Sequence, residues 1–334
     1  MKIGNLNLPN PNAVLYKDMQ QKTKRVKLAL TVFLCNLALA LISLTVLVVM
    51  TVNSIDDGGI NYSTLTTLFV VLASFEAGFI CLLTPVLTAG SITMEREKQT
   101  FDVLLSTRLT PWQIITGKYW ASILQILLLI ISGLPIYSLV FIYGGVSFFQ
   151  ALAVMITIIV VSMFIASLGI LASATRQKTI AANVTTFAMM ALFFVGTIFV
   201  VLITAGIADA INSSNNYNGI YTNYTVGPFA FILYMNPGAL IIDVFFNVFG
   251  VSFLGIDFGM GELIADITNF SANNFFLKYW SIISIIVLLA LSYLFLRLAA
   301  KAIDPLKARR FVYGKGFKVK AGTVRVHPNS SKTP

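Results

Sequence analysis

Six long apolar runs constrain the fold of this 334-residue chain more than any other feature of its sequence. A helix that crosses a membrane needs about 20 mostly apolar residues to span a hydrocarbon core of roughly 30 Å. The runs cover approximately residues 28–52, 68–92, 114–143, 148–174, 180–208 and 279–303. A mean hydropathy of +0.85, with only 11% charged residues, agrees with this pattern. The sequence therefore predicts an all-α integral membrane protein with six transmembrane helices.

The basic residues sort to one side of this topology. All 23 lysines and arginines except Lys278 lie at or beyond the same ends of the six predicted helices. Cytoplasmic segments of membrane proteins are enriched in lysine and arginine. We therefore predict a multi-pass protein of the plasma membrane with both termini in the cytoplasm. The net charge of +10 is then a topology signal, and no nucleic-acid partner is expected.

The predicted spans divide the chain into three regions. Residues 1–27 form a cytoplasmic N-terminal arm, residues 28–303 form the transmembrane domain, and residues 304–334 form a basic cytoplasmic tail. Residues 209–278 lie outside the membrane core, between the fifth and sixth spans.

Two parts of this outer segment differ in composition. Residues 212–223 are polar and are predicted to form a loop. Residues 226–258 are apolar but are interrupted by prolines and glycines, and a seventh span would place the basic tail outside. We therefore predict an external or re-entrant helical segment there.

A charged stretch, TMEREKQTFDVLLSTRLTPWQIITGKY, separates the second and third runs. Glu95 and Lys98 are spaced to form an ion pair on a helix. Apolar residues recur at helical spacing after them. These are Phe101, Leu104 and Leu105. We predict a short amphipathic helix over residues 95–105 at the cytoplasmic interface. An interfacial loop helix without a partner would have the same pattern.

The end of this stretch carries a helix-start signature. Thr110 can cap a helix, Pro111 suits the first helical position, and Gln113 stands where a capping box needs it. The third span is therefore predicted to begin just after Leu109.

Sequence motifs for catalysis are lacking. Gly117 and Lys118 resemble the end of a phosphate-binding loop, but Tyr119 follows where serine or threonine is needed. The chain has a single histidine, His327, and no nucleophile elbow. We therefore predict that the chain is not an enzyme and holds no cofactor of its own.

The same stretch resembles the signature of type-2 ATP-binding cassette (ABC) transporter permeases. The matching residues are Glu95, Arg96, Glu97, Thr100, Leu104, Leu105, Thr110, Pro111, Gly117 and Lys118. Gln99 stands where these permeases usually carry glycine. The resemblance extends over the whole chain in topology.

The resemblance implies a mechanism. Two permease subunits, identical or different, would pair in a bacterial membrane, and separate cytosolic ABC ATPases would bind ATP and Mg²⁺ beneath them. Residues 95–105, including Phe101, would form the coupling helix in an ATPase groove. Residues 14–27, with Leu15 and Met19 on one face, would form an interfacial helix. The complex would be a transport ATPase that works as an exporter.

Glu76 leaves an alternative open. It lies within the second run, and carboxylates inside membranes usually face a cavity or a partner. The chain could instead be a secondary transporter or channel that uses Glu76 as an ion or proton site, and Glu76 could equally be a hydrogen-bonded structural residue. An intramembrane transferase and a permease-like subunit in signalling or resistance are further alternatives. The substrate class stays open.

Overall fold

The computed structural model describes residues 26–57, 62–101, 109–142, 146–217, 227–249 and 275–303. Within these ranges the chain is helical and forms no β-strand. The α-helices there are α1 Val26–Asp57, α2 Tyr62–Glu97, α3 Pro111–Ile142, α4 Phe148–Thr175, α5 Thr179–Ala191, α6 Thr197–Tyr217, α7 Pro237–Phe249, α8 Phe275–Lys278 and α9 Trp280–Ile303. A π-helical turn, Leu192–Gly196, joins α5 to α6, and a 3₁₀ helix, Gly227–Met235, precedes α7.

The six predicted spans are confirmed. Six helical stretches of the described chain are long and apolar enough to cross a membrane. They are α1 to α4, the continuous α5–π–α6 helix, and α9. The helices extend past the apolar runs, because backbone hydrogen bonds propagate a helix beyond the residues that lipid requires. The second span, for example, begins at Tyr62 rather than at residue 68.

The predicted loop over residues 212–223 is wrong for its first half. Helix α6 continues through Asn212 and ends only at Tyr217. Asparagine and serine are poor helix formers, but extending an existing helix adds one hydrogen bond for each residue that is ordered. Local polarity therefore does not end this helix.

Helix α4 forms the centre of the molecule. It is apolar on all sides and packs most extensively on α2 and α9, with further contacts to α3 and α5. Most of its residues are buried by these contacts, as its central position requires. By contrast, α1 and the α5–π–α6 helix keep most of their apolar side chains exposed on the surface of the chain.

The α2–α4 contact depends on a glycine. A Cβ atom added to Gly169 would lie 1.9 Å from the hydroxyl oxygen of Thr88 and 2.7 Å from its Cβ. One turn along, the hydroxyl of Ser173 accepts hydrogen bonds from the backbone N–H groups of Ile92 and Thr93, at 2.9 and 3.1 Å. Small residues at such contacts let transmembrane helices approach closely.

The apolar segment after α6 is sharply bent. The 3₁₀ helix and α7 meet at an angle of 87° around Asn236. The side-chain oxygen of Asn236 accepts hydrogen bonds from the N–H groups of Gly238 and Ala239, and so caps α7. Whether this bent segment is external or re-entrant stays a prediction.

The same asparagine ties this bend to the fifth span. Its amide nitrogen donates to the backbone oxygen of Phe194 at 3.0 Å and to the hydroxyl of Thr197 at 2.8 Å. Phe194 lies in the π-helical turn, where the regular helical hydrogen bonding is interrupted. Asn236 thus provides a partner for a backbone group at the irregular point of the fifth span, a role that sequence spacing did not suggest.

Candidate functional site

The residues of the predicted coupling signature converge at the end of α2. Glu95, Arg96 and Glu97, hereafter the Glu-Arg-Glu cluster, form the last turn of this helix. Each of them contacts a different neighbouring element, and these elements are the first turns of α3, the end of α4 and the start of α5. The cluster is therefore a junction of four helices at one membrane face.

Arg96 binds the end of α4. Its guanidinium nitrogens donate to the backbone oxygens of Arg176 and Ala174, at 2.6 and 2.8 Å. The last carbonyl groups of a helix have no partner within that helix, and a cation there also complements the helix dipole. Arg96 therefore stabilises the end of a helix to which it does not belong.

Glu97 places a negative charge at the start of α5, as Arg96 places a positive charge at the end of α4. Its carboxylate accepts a hydrogen bond from the backbone N–H of Thr179 at 2.7 Å. Lys178, the residue at the N-cap of α5, makes no capping hydrogen bond with its side chain. A carboxylate is favoured at a helix N-terminus by its free N–H groups and by the dipole. Glu97 thus caps α5 from α2.

Glu95 binds the buried Lys118 on α3. The Lys118 ammonium lies 2.7 Å from a Glu95 carboxylate oxygen and donates to the backbone oxygen of Ser91 at 2.9 Å. The Lys118 side chain is only 1% exposed, and that of Glu95 is 24% exposed. A buried lysine needs such partners because burial of an unpaired charge is costly. The predicted pairing of Glu95 with Lys98 is corrected here, since Glu95 pairs with Lys118.

The predicted helix over residues 95–105 is wrong at its beginning. Residues 95–97 continue α2, and a turn follows at Lys98 and Gln99. Gln99 has a φ of 56°, and the N–H of Thr100 donates to the backbone oxygen of Glu95 at 2.9 Å. A left-handed residue just after the last turn is a common helix end. Helical structure resumes at Phe101.

The residues after this turn are partly described. Phe101 is buried, and the Arg96 guanidinium lies 4.9 Å from the centre of its ring. Thr100 is exposed. Leu104 and Leu105 lie outside the described residues, as does most of the predicted interfacial helix over residues 14–27.

The left-handed backbone at Gln99 accounts for a preference for glycine at this position. The left-handed conformation costs a residue with a Cβ atom roughly 1–2 kcal/mol, and glycine avoids this cost. We expect Gln99→Gly to raise the stability of the purified chain by about 1 kcal/mol, measured as the midpoint of thermal unfolding in detergent. The control is Gln177→Gly in the α4–α5 turn, where φ is not positive. Equal effects of the two substitutions would contradict this explanation.

The predicted start of the third span is confirmed. Helix α3 begins at Pro111. The backbone N–H of Thr110 donates to the Gln113 side chain at 3.0 Å, and the N–H of Gln113 donates to the Thr110 hydroxyl at 3.3 Å. These reciprocal bonds form the capping box. Gly117 lies buried one turn later, next to Lys118.

Glu76 lies at a second polar contact between α2 and α3. Its side chain is 1% exposed, and one carboxyl oxygen accepts a hydrogen bond from the hydroxyl of Tyr137. The other oxygen has no hydrogen-bond partner among the described residues and faces Gly133, where a Cβ would come within 3.0 Å of it. This enclosed contact between two helices supports the structural reading of Glu76 over an ion or proton site.

A bundle of helices long and apolar enough to cross a membrane, with four of them joined at one end, is the architecture of a multi-pass membrane protein. The chain belongs to the ABC-2 family of transporter proteins, because the sequence model of the ABC-2 family transporter protein matches residues 11–300. No curated protein matches the chain at a significant level. Membership makes the chain a membrane subunit of an ABC transporter and implies association with ABC ATPases. Such permeases are normally not catalytic themselves.

Proposed function

We propose that this permease subunit exports its substrate when cytosolic ABC ATPases act on the segment that begins at the Glu-Arg-Glu cluster. The ATPases bind ATP and Mg²⁺, and a second permease subunit completes the transport pathway. Both termini lie on the cytoplasmic side of a bacterial plasma membrane. The grouping of basic residues at the helix ends around the cluster, with Lys278 at the opposite ends, supports this orientation.

One observation carries the coupling proposal. A stretch of three residues at the end of α2 bonds to α3, α4 and α5. Displacement of this stretch would move the ends of all four helices together, as rigid-body switching requires. ATP would supply the driving force by binding more tightly to the closed ATPase arrangement. The coupling helix itself is then expected to begin at Phe101 and to include Leu104 and Leu105.

Charge reversal at Lys98 tests this assignment. Lys98 is exposed in the turn that leads from the Glu-Arg-Glu cluster into the proposed coupling helix. Unfavourable charges at an interface can cost several kcal/mol, whereas exposed substitutions usually change stability by less than about 0.5 kcal/mol. We expect Lys98→Glu to accumulate normally but to retain less than about a tenth of the ATPase. The measurement is the amount of cassette ATPase that co-purifies with each variant from its native membranes.

Lys278→Glu is the matched control, because it makes the same charge change on an exposed residue at the opposite helix ends. It should keep the ATPase at the wild-type level. Equal ATPase retention by both variants would refute Lys98 as part of the contact. Failure of the wild-type chain to bind any cassette ATPase would refute the wider proposal.

A further inference from the structure

Arg297 is a cation on the exposed side of a membrane-spanning helix. Its guanidinium carbon lies 4.4 Å from the ring centre of Trp112 and 5.0 Å from that of Tyr293. Its Nε donates to the Tyr293 hydroxyl at 2.7 Å, and one terminal nitrogen donates to the same oxygen. Trp112 and Tyr293 also contact each other edge to face, with ring centres 5.8 Å apart. The two rings therefore hold the guanidinium in one position.

This arrangement leaves donors of Arg297 unused. A guanidinium has five N–H groups, and Tyr293 accepts two of them. Among the described residues no other acceptor binds the Arg297 side chain. Arg297 precedes the end of α9 at Ile303 by six residues, about 9 Å along the axis. This position lies beside the first turn of α3, so an anion at the membrane surface can reach the remaining donors.

The two helices that form this site, α3 and α9, carry no carboxylate that could pair with Arg297. Neither α3 nor α9 contains an aspartate or a glutamate. Lys301 is exposed one turn beyond Arg297 and adds a second positive charge. The positive charge of these two helices therefore matches an anion such as a phosphate group.

The exposed stripe of α9 changes from apolar to charged along the helix, as a phospholipid does from its acyl chains to its headgroup. Ile282, Ile286 and Leu289 lie on it towards the beginning of the helix and are exposed. Tyr293, Arg297 and Lys301 follow on successive turns. A lipid has acyl chains followed by a phosphate in the same order. This apolar continuation favours a lipid phosphate over a free phosphate ion.

We propose that Arg297, Lys301 and the Trp112 ring bind the headgroup of an anionic phospholipid, at the membrane face where α3 begins. Its acyl chains lie along the exposed stripe of α9. Arginine suits this role because its planar guanidinium can stack on an aromatic ring while it donates to phosphate oxygens. The site goes beyond the proposed function and needs no ATPase.

Native mass spectrometry of the purified full chain tests the proposal. The chain is titrated with dioleoylphosphatidylglycerol and, separately, with dioleoylphosphatidylcholine, whose choline cation offsets the phosphate charge. We expect the wild type to bind phosphatidylglycerol more tightly. Arg297→Gln and Lys301→Gln should each weaken this binding about fivefold, because a cation near a membrane surface contributes about 1 kcal/mol of attraction. Binding of phosphatidylcholine should change little.

Lys278→Gln is the matched control, since Lys278 is exposed at the other end of the spans and lies over the ring of Tyr279 at 5.9 Å. It should leave phosphatidylglycerol binding unchanged. Lys301→Gln keeps the test valid if Arg297→Gln does not fold. Three outcomes would overturn the proposal. These are unchanged binding in every folded variant at Arg297 or Lys301, an equal loss in Lys278→Gln, and displacement of the lipid by inorganic phosphate but not by chloride at the same ionic strength.

Discussion

Lys118→Met should destabilise the chain by about 3 kcal/mol, because it removes the partner of a largely buried ion pair. The substitution leaves the Glu95 carboxylate and the backbone oxygen of Ser91 without the ammonium that binds both. Removing one member of a buried pair costs about 3–5 kcal/mol, and the partial exposure of Glu95 places this case at the lower end. Equilibrium unfolding in mixed detergent measures the loss.

The double variant distinguishes an ion pair from two independent contributions. Glu95→Gln alone leaves the ammonium of Lys118 buried without its counter-ion, and we expect a similar loss. Replacement of both members of a buried pair is often close to neutral, so Glu95→Gln with Lys118→Met should lie within about 1 kcal/mol of the wild type. Lys98→Met is the control, since Lys98 is exposed at the same face. Additive losses from Glu95→Gln and Lys118→Met would show that the pair contributes no coupling energy.

The Glu95–Lys118 ion pair also affects how charge reversals in the coupling signature are interpreted. Reversing Glu95 and Glu97 to lysine would not test an ATPase contact alone. The structure places the Glu95 carboxylate against Lys118 and the Glu97 carboxylate on the α5 N-terminus. Such a variant would place like charges together inside the chain. Loss of ATPase binding would then report on folding as well as on docking, and Lys98 is the better position.

Gly169→Ala should be the most disruptive single-methyl change in the described core. The added Cβ would lie 1.9 Å from the Thr88 hydroxyl oxygen, which is far below any normal contact. Helices α2 and α4 would have to move apart around Thr88. Overpacking of this kind costs about 1–3 kcal/mol and occasionally more. We expect a lower thermal unfolding midpoint in detergent and a smaller inserted fraction.

Two glycines provide matched controls for this change. A Cβ at Gly78 or Gly206 would meet nothing within 4 Å, so alanine there should be neutral or slightly stabilising. Thr88→Ala in the Gly169→Ala background should restore only part of the stability. It removes the hydroxyl but leaves the Thr88 Cβ at 2.7 Å from the new methyl group. A Gly169→Ala chain as stable as the two control variants would contradict the close α2–α4 packing.

Features that depend on neighbouring residues were predictable from the sequence. Each apolar run is long enough to span a bilayer, so the six spans follow from hydropathy alone. The Thr110–Gln113 capping box was predictable for the same reason, because its bonds join residues three positions apart. Membership of the ABC-2 family was likewise evident from the signature and is confirmed over residues 11–300.

Features that depend on distant residues were not predictable. Arg96 binds carbonyl groups 78 and 80 positions along the chain, and Glu97 binds an N–H group 82 positions away. A sequence shows which residues carry charge, but it does not show which helix ends lie beside them. The signature therefore suggested an exposed charged face. In the structure, two of the three side chains of the Glu-Arg-Glu cluster cap neighbouring helices, and the third pairs with Lys118, a buried residue of the same signature.

Local patterns thus determined the number of spans, their order and the start of α3, because lipid and nearby backbone groups set those constraints. Tertiary packing determined the end of α2, the left-handed turn at Gln99 and the partners of the Glu-Arg-Glu cluster. It also brought Asn236 to the π-helical turn of the fifth span. Unpaired polar groups are costly inside a membrane, so Asn236 and the Glu-Arg-Glu cluster bind groups that the packed helices bring within reach. Those partners are defined only once the helices have packed.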